Sequence, residues 1–174
     1  MKKEERLNAL KVALDNELRE REFYLKLAEK TKNPQGKAMF KQIADEELEH
    51  HDMLKKLHEK WVKQEKWPDT LPLEVENTRV KDVLKDLVKK ADKVPERDED
   101  DLKAVQAAIE FEAKGAEYYA KLRDAVDDPK EKAFFDLLAR IERDHYLSLK
   151  DTEEFLTDPA AWYTLTDHHI LDGG

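Results

Sequence analysis

Ile43-Ala44-Asp45-Glu46-Glu47-Leu48-Glu49-His50 lies in a strongly helical run and sets Glu47 three residues before His50. Side chains three apart on a helix project from one face, so a carboxylate oxygen and an imidazole nitrogen can reach one cation. One Glu-x-x-His arises easily by chance in a chain this rich in Glu and decides little by itself. Sliding the chain against itself by 95 residues decides more: Glu47 and His50 fall on Glu142 and His145, and Glu17 falls on Glu112. The same shift carries Ala13 onto Ala108, Tyr24 onto Tyr119, Pro34 onto Pro129, Phe40 onto Phe135 and Leu54 onto Leu149. The chain therefore reads as a duplicated helical hairpin. Two such hairpins, related by a pseudo-twofold axis, make an all-α four-helix bundle.

Periodicity places the helices. Leu7, Leu10, Leu14, Tyr24 and Ala28 recur at three- and four-residue steps and predict a first helix from about 3 to 30, ended by Asn33-Pro34-Gln35-Gly36. Phe40, Ile43, Ala44, Leu54 and Leu57 predict a second from near 35 to about 61. The short turn between them makes these two antiparallel neighbours. Pro68, Pro72 and Pro95 break the next stretch, read as a crossover over about 63–100 with one short helix carrying Val80, Val83, Leu84, Leu87 and Val88. A connection of that length can cross the height of a bundle, so the third helix can start at the same end as the second. The third is expected over about 101–125 and the fourth, opened by Asp127-Asp128-Pro129, to about 155. One bundle domain over 1–157 and a tail over 158–174, with Trp162, Tyr163, His168 and His169, complete the reading.

Composition narrows the function. The 174 residues include no Cys, which removes disulfides, thiolate metal sites and thiol catalysis, so any metal must use His and carboxylates. With 42 % charged residues and a net charge of -9, Lys and Arg interleaved with Asp and Glu leave no basic face for nucleic acid. No apolar run approaches the roughly 20 residues of a membrane span, and the N-terminus is amphipathic rather than a signal segment. A soluble, cytoplasmic protein is expected.

Each hairpin contributes a Glu on its first helix and Glu-x-x-His on its second: Glu17, Glu47 and His50, then Glu112, Glu142 and His145. Four carboxylates with two imidazoles are the di-metal ligand set of ferritin-like bundles. A charged, solvated helix face kept in both halves by duplication alone would show no relation to the apolar stripe. At about 100° per residue, however, Leu10, Ala13, Leu14 and Tyr24 all fall within about 60° of Glu17, and Glu47, Glu112 and Glu142 are embedded in the same way. Unpaired buried carboxylates cost several kcal/mol each or take up protons, whereas two divalent cations neutralise four of them. A metal-free structural bundle is the weaker alternative. Oxygen and nitrogen donors without sulfur favour two iron ions, with manganese an alternative at one or both positions. By pseudo-symmetry Glu47 and Glu142 are expected to bridge the ions, Glu17 and Glu112 to cap one each, and each His to complete one. Tyr24 and Tyr119, two turns beyond the capping carboxylates, are placed either to support a ligand oxygen by a hydrogen bond or to fill the core.

At these residues the chain resembles the rubrerythrin family of the ferritin-like superfamily, over about residues 5 to 155. The resemblance implies a di-iron bundle, often dimeric, that reduces hydrogen peroxide or dioxygen, with a ferroxidase or iron-storage protein as the alternative. Family members with a rubredoxin domain draw electrons from a Cys-ligated iron. With no Cys, this chain is expected to depend on a separate donor such as a rubredoxin. The resemblance also implies a seventh ligand, a Glu one turn after Glu112, where this chain has Gly115. Subtracting the repeat from position 115 gives Glu20, one turn after Glu17, which is either a mirror-image seventh ligand, a solvated charge or the partner of a nearby Arg. On the sequence alone, loss of Glu20 is expected to spare both metals. His51 is read as facing inward beside the ligands, and His58, His168 and His169 as surface or tail residues.

Overall fold

A computed structural model describes residues 3–64 and 97–162, together with Asp86 and Thr164. Four long helices carry the fold: α1 (Lys3–Lys30), α2 (Pro34–Gln64), α3 (Glu99–Asp124) and α4 (Pro129–Thr157). α1 packs on α2 and α3 on α4, the two hairpins of the repeat. The short helix expected in the crossover, and His168 and His169, lie outside the described residues. Among the described residues no helix is long and apolar enough to cross a membrane.

The helix starts show the duplication at atomic detail. Asn33 Oδ1 accepts from the backbone N–H groups of Gln35 at 2.9 Å and Gly36 at 3.0 Å. Its repeat partner Asp128 accepts from Lys130 at 2.8 Å and Glu131 at 3.3 Å. Each cap is followed by Pro at the first helical position, where a missing N–H costs nothing. α3 begins two residues before the expected start because Asp98 caps it, accepting from Asp100 and Asp101 at 3.0 and 3.1 Å. α2 runs about a turn beyond its expected end at Trp61, whose ring is buried in the core.

The apolar core is split in two. One cluster gathers Tyr24 and Ala28 of α1, Met39, Phe40, Ile43 and Ala44 of α2, Leu102, Val105 and Ala108 of α3, and Leu149, Phe155 and Leu156 of α4. Trp162 joins it, standing edge-on to Phe155 with ring centroids 6.1 Å apart. The other gathers Leu10 and Ala13, then Leu54, Leu57 and Trp61, then Tyr119, then Phe134, Phe135, Leu138 and Ile141. Along every helix the Glu and His residues of the repeat fall between the two clusters. α2 and α3 both run from the first cluster to the second, whereas α1 and α4 run the other way. Parallel α2 and α3 need a connection that crosses the bundle's height, which accounts for the long segment between them.

One buried carboxylate ties the hairpins together. Asp101 of α3, 3 % exposed, accepts from the backbone N–H groups of Lys32 at 3.1 Å and Asn33 at 3.0 Å in the α1–α2 turn. Replacing Asp101 by Ala strands both donors and is expected to cost about 2 kcal/mol, read as a lower urea midpoint at unchanged slope.

Candidate metal centre

Between the two apolar clusters lies a polar layer built by all four helices. Glu47, Glu112 and His145 are 0 % exposed, and Glu17, Glu20, His50 and Glu142 are buried with them. The arrangement follows from helical spacing: Glu47 and His50, and Glu142 and His145, sit one turn apart on the inner faces of α2 and α4. His50 Nδ1 stands 3.7 Å from Glu17 Oε2 and 4.0 Å from Glu47 Oε2. His145 Nδ1 stands 3.2 Å from Glu47 Oε1 and 3.7 Å from Glu112 Oε2. Glu47 thus turns one oxygen to each imidazole, and the two rings lie 5.0 Å apart.

Most of these donors have nothing to bond. Glu17 Oε2, both oxygens of Glu47, Oε2 of Glu112 and of Glu142, Nδ1 of His50 and both nitrogens of His145 lack a hydrogen-bond partner among the described residues. A buried polar atom without a partner costs about 1–3 kcal/mol, and native proteins rarely tolerate one without a function or a ligand. Donor atoms of Glu47, His50 and His145 lie within 4.8 Å of one another, as do those of Glu20, Glu47, Glu112 and His145, and those of Glu17, Glu20 and Glu142. Such groups of oxygen and nitrogen donors fit two divalent cations a few ångströms apart.

Without a cation the layer holds protons. Burial pushes Glu17 up to about 7 and, together with the nearby Glu112 and Glu17 charges, Glu20 up to about 10. Burial and neighbouring carboxylates likewise raise Glu47 and Glu142 well above the usual range. His50 is driven the other way, down to about 3, by burial and by the charge of His145. Burial works against charge on Glu112 and His145 too, but their mutual attraction outweighs it, lowering the acid and raising the base. Burial therefore favours the protonated form of Glu17, Glu20, Glu47 and Glu142, while Glu112 and His145 favour charge on each other.

The residues singled out from the sequence occupy unequal places. Tyr24 donates its hydroxyl proton to Glu112 Oε1, reaching across to the other hairpin. Tyr119 does not repeat this; its hydroxyl faces Asn16, the residue preceding Glu17. Glu20 is buried rather than solvated, and its Oε2 has no hydrogen-bond partner among the described residues. His51 is partly buried beside Asp52, with Nδ1 at 3.4 Å from Oδ1, and His58 is half-buried. Gly115 has a role that no motif announced: a Cβ there would stand 2.9 Å from Glu142 Oε2 and 3.1 Å from its Cδ. The missing side chain makes the space into which Glu142 leans. Asn16 also carried no sequence signal, since its repeat partner is Phe111.

Two parallel and two antiparallel helices enclosing a buried layer of Glu and His define a ferritin-like carboxylate bundle. The chain belongs to the rubrerythrin family, whose pattern matches residues 8–153. No curated protein and no solved structure matches it.

Two outcomes follow from this geometry. Above pH 6.5 His50 is neutral both folded and unfolded, while Glu17, Glu20, Glu47, Glu142 and His145 all bind protons more tightly folded than unfolded. Metal-free protein should therefore lose stability between pH 6.5 and 8, by at least about 1 kcal/mol per pH unit. Added divalent cation should reverse the loss, bind more tightly as pH rises and release protons, all measurable by calorimetry. Gly115→Ala should separate fold from site. Ala favours the α3 interior by about 1 kcal/mol over Gly, so the metal-free melting temperature should not fall, yet displacement of Glu142 should weaken cation binding about tenfold.

Proposed function

We propose that this protein is a di-iron oxidoreductase that reduces hydrogen peroxide with electrons from a separate donor protein. The observation that carries the reading is the convergence of partnerless carboxylate oxygens and imidazole nitrogens, from both hairpins, in one buried layer. Membership of the rubrerythrin family supports the same chemistry. Glu47 and Glu142, Glu17 and Glu112, and His50 and His145 would hold the two ions, the first pair shared between them and the others one to each. The two oxygens of Glu47, facing the two imidazoles at 4.0 and 3.2 Å, support its bridging role. Ferrous iron held there would supply one electron from each ion, enough with two protons to reduce hydrogen peroxide to two waters.

The chain's own groups prepare the place where this happens. The apolar clusters above and below the layer exclude bulk water and keep the local dielectric low, which strengthens each carboxylate's hold on a cation. Tyr24 fixes Glu112 by its hydrogen bond and keeps its own proton, because burial and the Glu112 charge raise its pKa well above the usual value. No Cys occurs in the 174 residues, so a Cys-ligated iron that feeds the centre would lie outside them.

The absence of a carboxylate at Gly115 favours a second reading, a ferroxidase that handles or stores iron. Stopped-flow oxidation of anaerobically reduced protein separates the two. Peroxide should oxidise the centre at least tenfold faster than dioxygen, and iron retained after excess ferrous addition should stop at about two per chain. Faster reaction with dioxygen, with far more iron retained, would establish the storage reading instead.

A further inference from the structure

We propose that Glu20 is a seventh protein ligand of the centre, bound to the ion that Glu17 and Glu142 share, at the floor of a cavity between α1 and α3. This inference rests on the di-metal reading above and concerns how the two ions differ. Glu20 is 5 % exposed, and its Oε2 has no hydrogen-bond partner among the described residues. One of its oxygens groups within 4.8 Å with Glu17 and Glu142, and an oxygen of Glu20 also groups with Glu47, Glu112 and His145. No other residue belongs to both of those groups. A carboxylate in that position, buried and unpaired, has a cation as its natural partner.

The repeat shows why the seventh ligand stands on one side only. The partner of Glu20 is Gly115, and a side chain there would run into the carboxylate of Glu142 within its first carbon. The second hairpin therefore yields the space to Glu142, while the first hairpin fills its equivalent with Glu20. Two ions that pseudo-symmetry would make alike receive different surroundings.

The cavity makes the difference chemical. The described residues Asn16, Arg19, Glu20, Phe23, Ala107 and Phe111 line an open pocket of about 590 Å³. Glu20 is the carboxylate of the buried layer that also walls this pocket, so a small molecule entering there meets the Glu17–Glu20–Glu142 ion first. A fifth carboxylate also exceeds the charge of two divalent ions by one, which favours the oxidised, more positive pair.

Cobalt(II) titration tests this, because its visible absorption reports coordination. Wild type should bind two cobalt ions per chain. Glu20→Gln should bind one ion as wild type does and the other at least tenfold more weakly, with altered bands. In Glu20→Ala, added formate should recover part of the lost affinity by entering through the pocket, whereas Glu47→Ala should bind neither ion. Wild-type affinity and bands in both Glu20 variants would overturn the seventh ligand and leave the di-metal reading standing. Absence of cobalt and iron binding by wild type would overturn the di-metal reading itself. Anomalous diffraction from cobalt-loaded wild-type crystals decides the matter without a variant. A Glu20 oxygen bonded to cobalt supports the ligand, and a Glu20 turned into the cavity overturns it.

Discussion

Charge burial governs this molecule. Five carboxylates and two imidazoles share one layer across the middle of a four-helix bundle, where each unpaired charge costs several kcal/mol. The metal-free chain meets that cost by binding protons, as the upward shifts of Glu17, Glu20, Glu47 and Glu142 show. Two apolar clusters must then hold the helices together from either end. They are rich in fully buried large side chains, among them Tyr24, Phe40, Ile43, Phe134, Phe135 and Phe155. Each such side chain contributes roughly 1.5–3 kcal/mol by leaving water. The layer strains the fold and the clusters tolerate it.

Helix direction follows from the same division. A hairpin alone carries three of the six repeated donors, Glu17, Glu47 and His50 or Glu112, Glu142 and His145, and its layer is half built. Docking the second hairpin brings His145 to 3.2 Å of Glu47 and Tyr24 onto Glu112. Both contacts cross between hairpins. Asp101, which receives the free N–H groups of the α1–α2 turn, locks the same docking at the end of the bundle. The contacts that complete the site are also contacts that join the two hairpins.

Much of this was legible before any coordinates. The offset of 95 residues exposed the duplication, its pairing of Pro34 with Pro129 located two helix starts, and the angular position of Glu17 among Leu10, Ala13 and Tyr24 placed a carboxylate in the core. The same arithmetic sets Glu20 about 20° from Ala13, a signal of burial in the sequence, where a solvated charge had stood among the alternatives. What the sequence withheld are contacts between helices. A repeat relates each residue to its copy and says nothing of which helix faces which, so the bond from Tyr24 to Glu112, made across the hairpins, had no linear trace. The partner of Tyr119 was equally hidden, because Asn16 has no polar counterpart in the second half.

The departures from the repeat have one effect in common. Duplication supplies two equal halves, and the departures from it make them unequal: Tyr24 holds the Glu112 carboxylate while Tyr119 faces Asn16, and Glu20 has a carboxylate where Gly115 has none. A perfectly symmetric layer would carry the same charge and the same access on both of its sides. The missing side chain at position 115 leaves in the second hairpin the space that the Glu142 carboxylate fills, and the first hairpin opens its flank to a pocket walled by Glu20. The symmetry builds a stable layer from one ancestral unit, and the exceptions to it give that layer a front and a back.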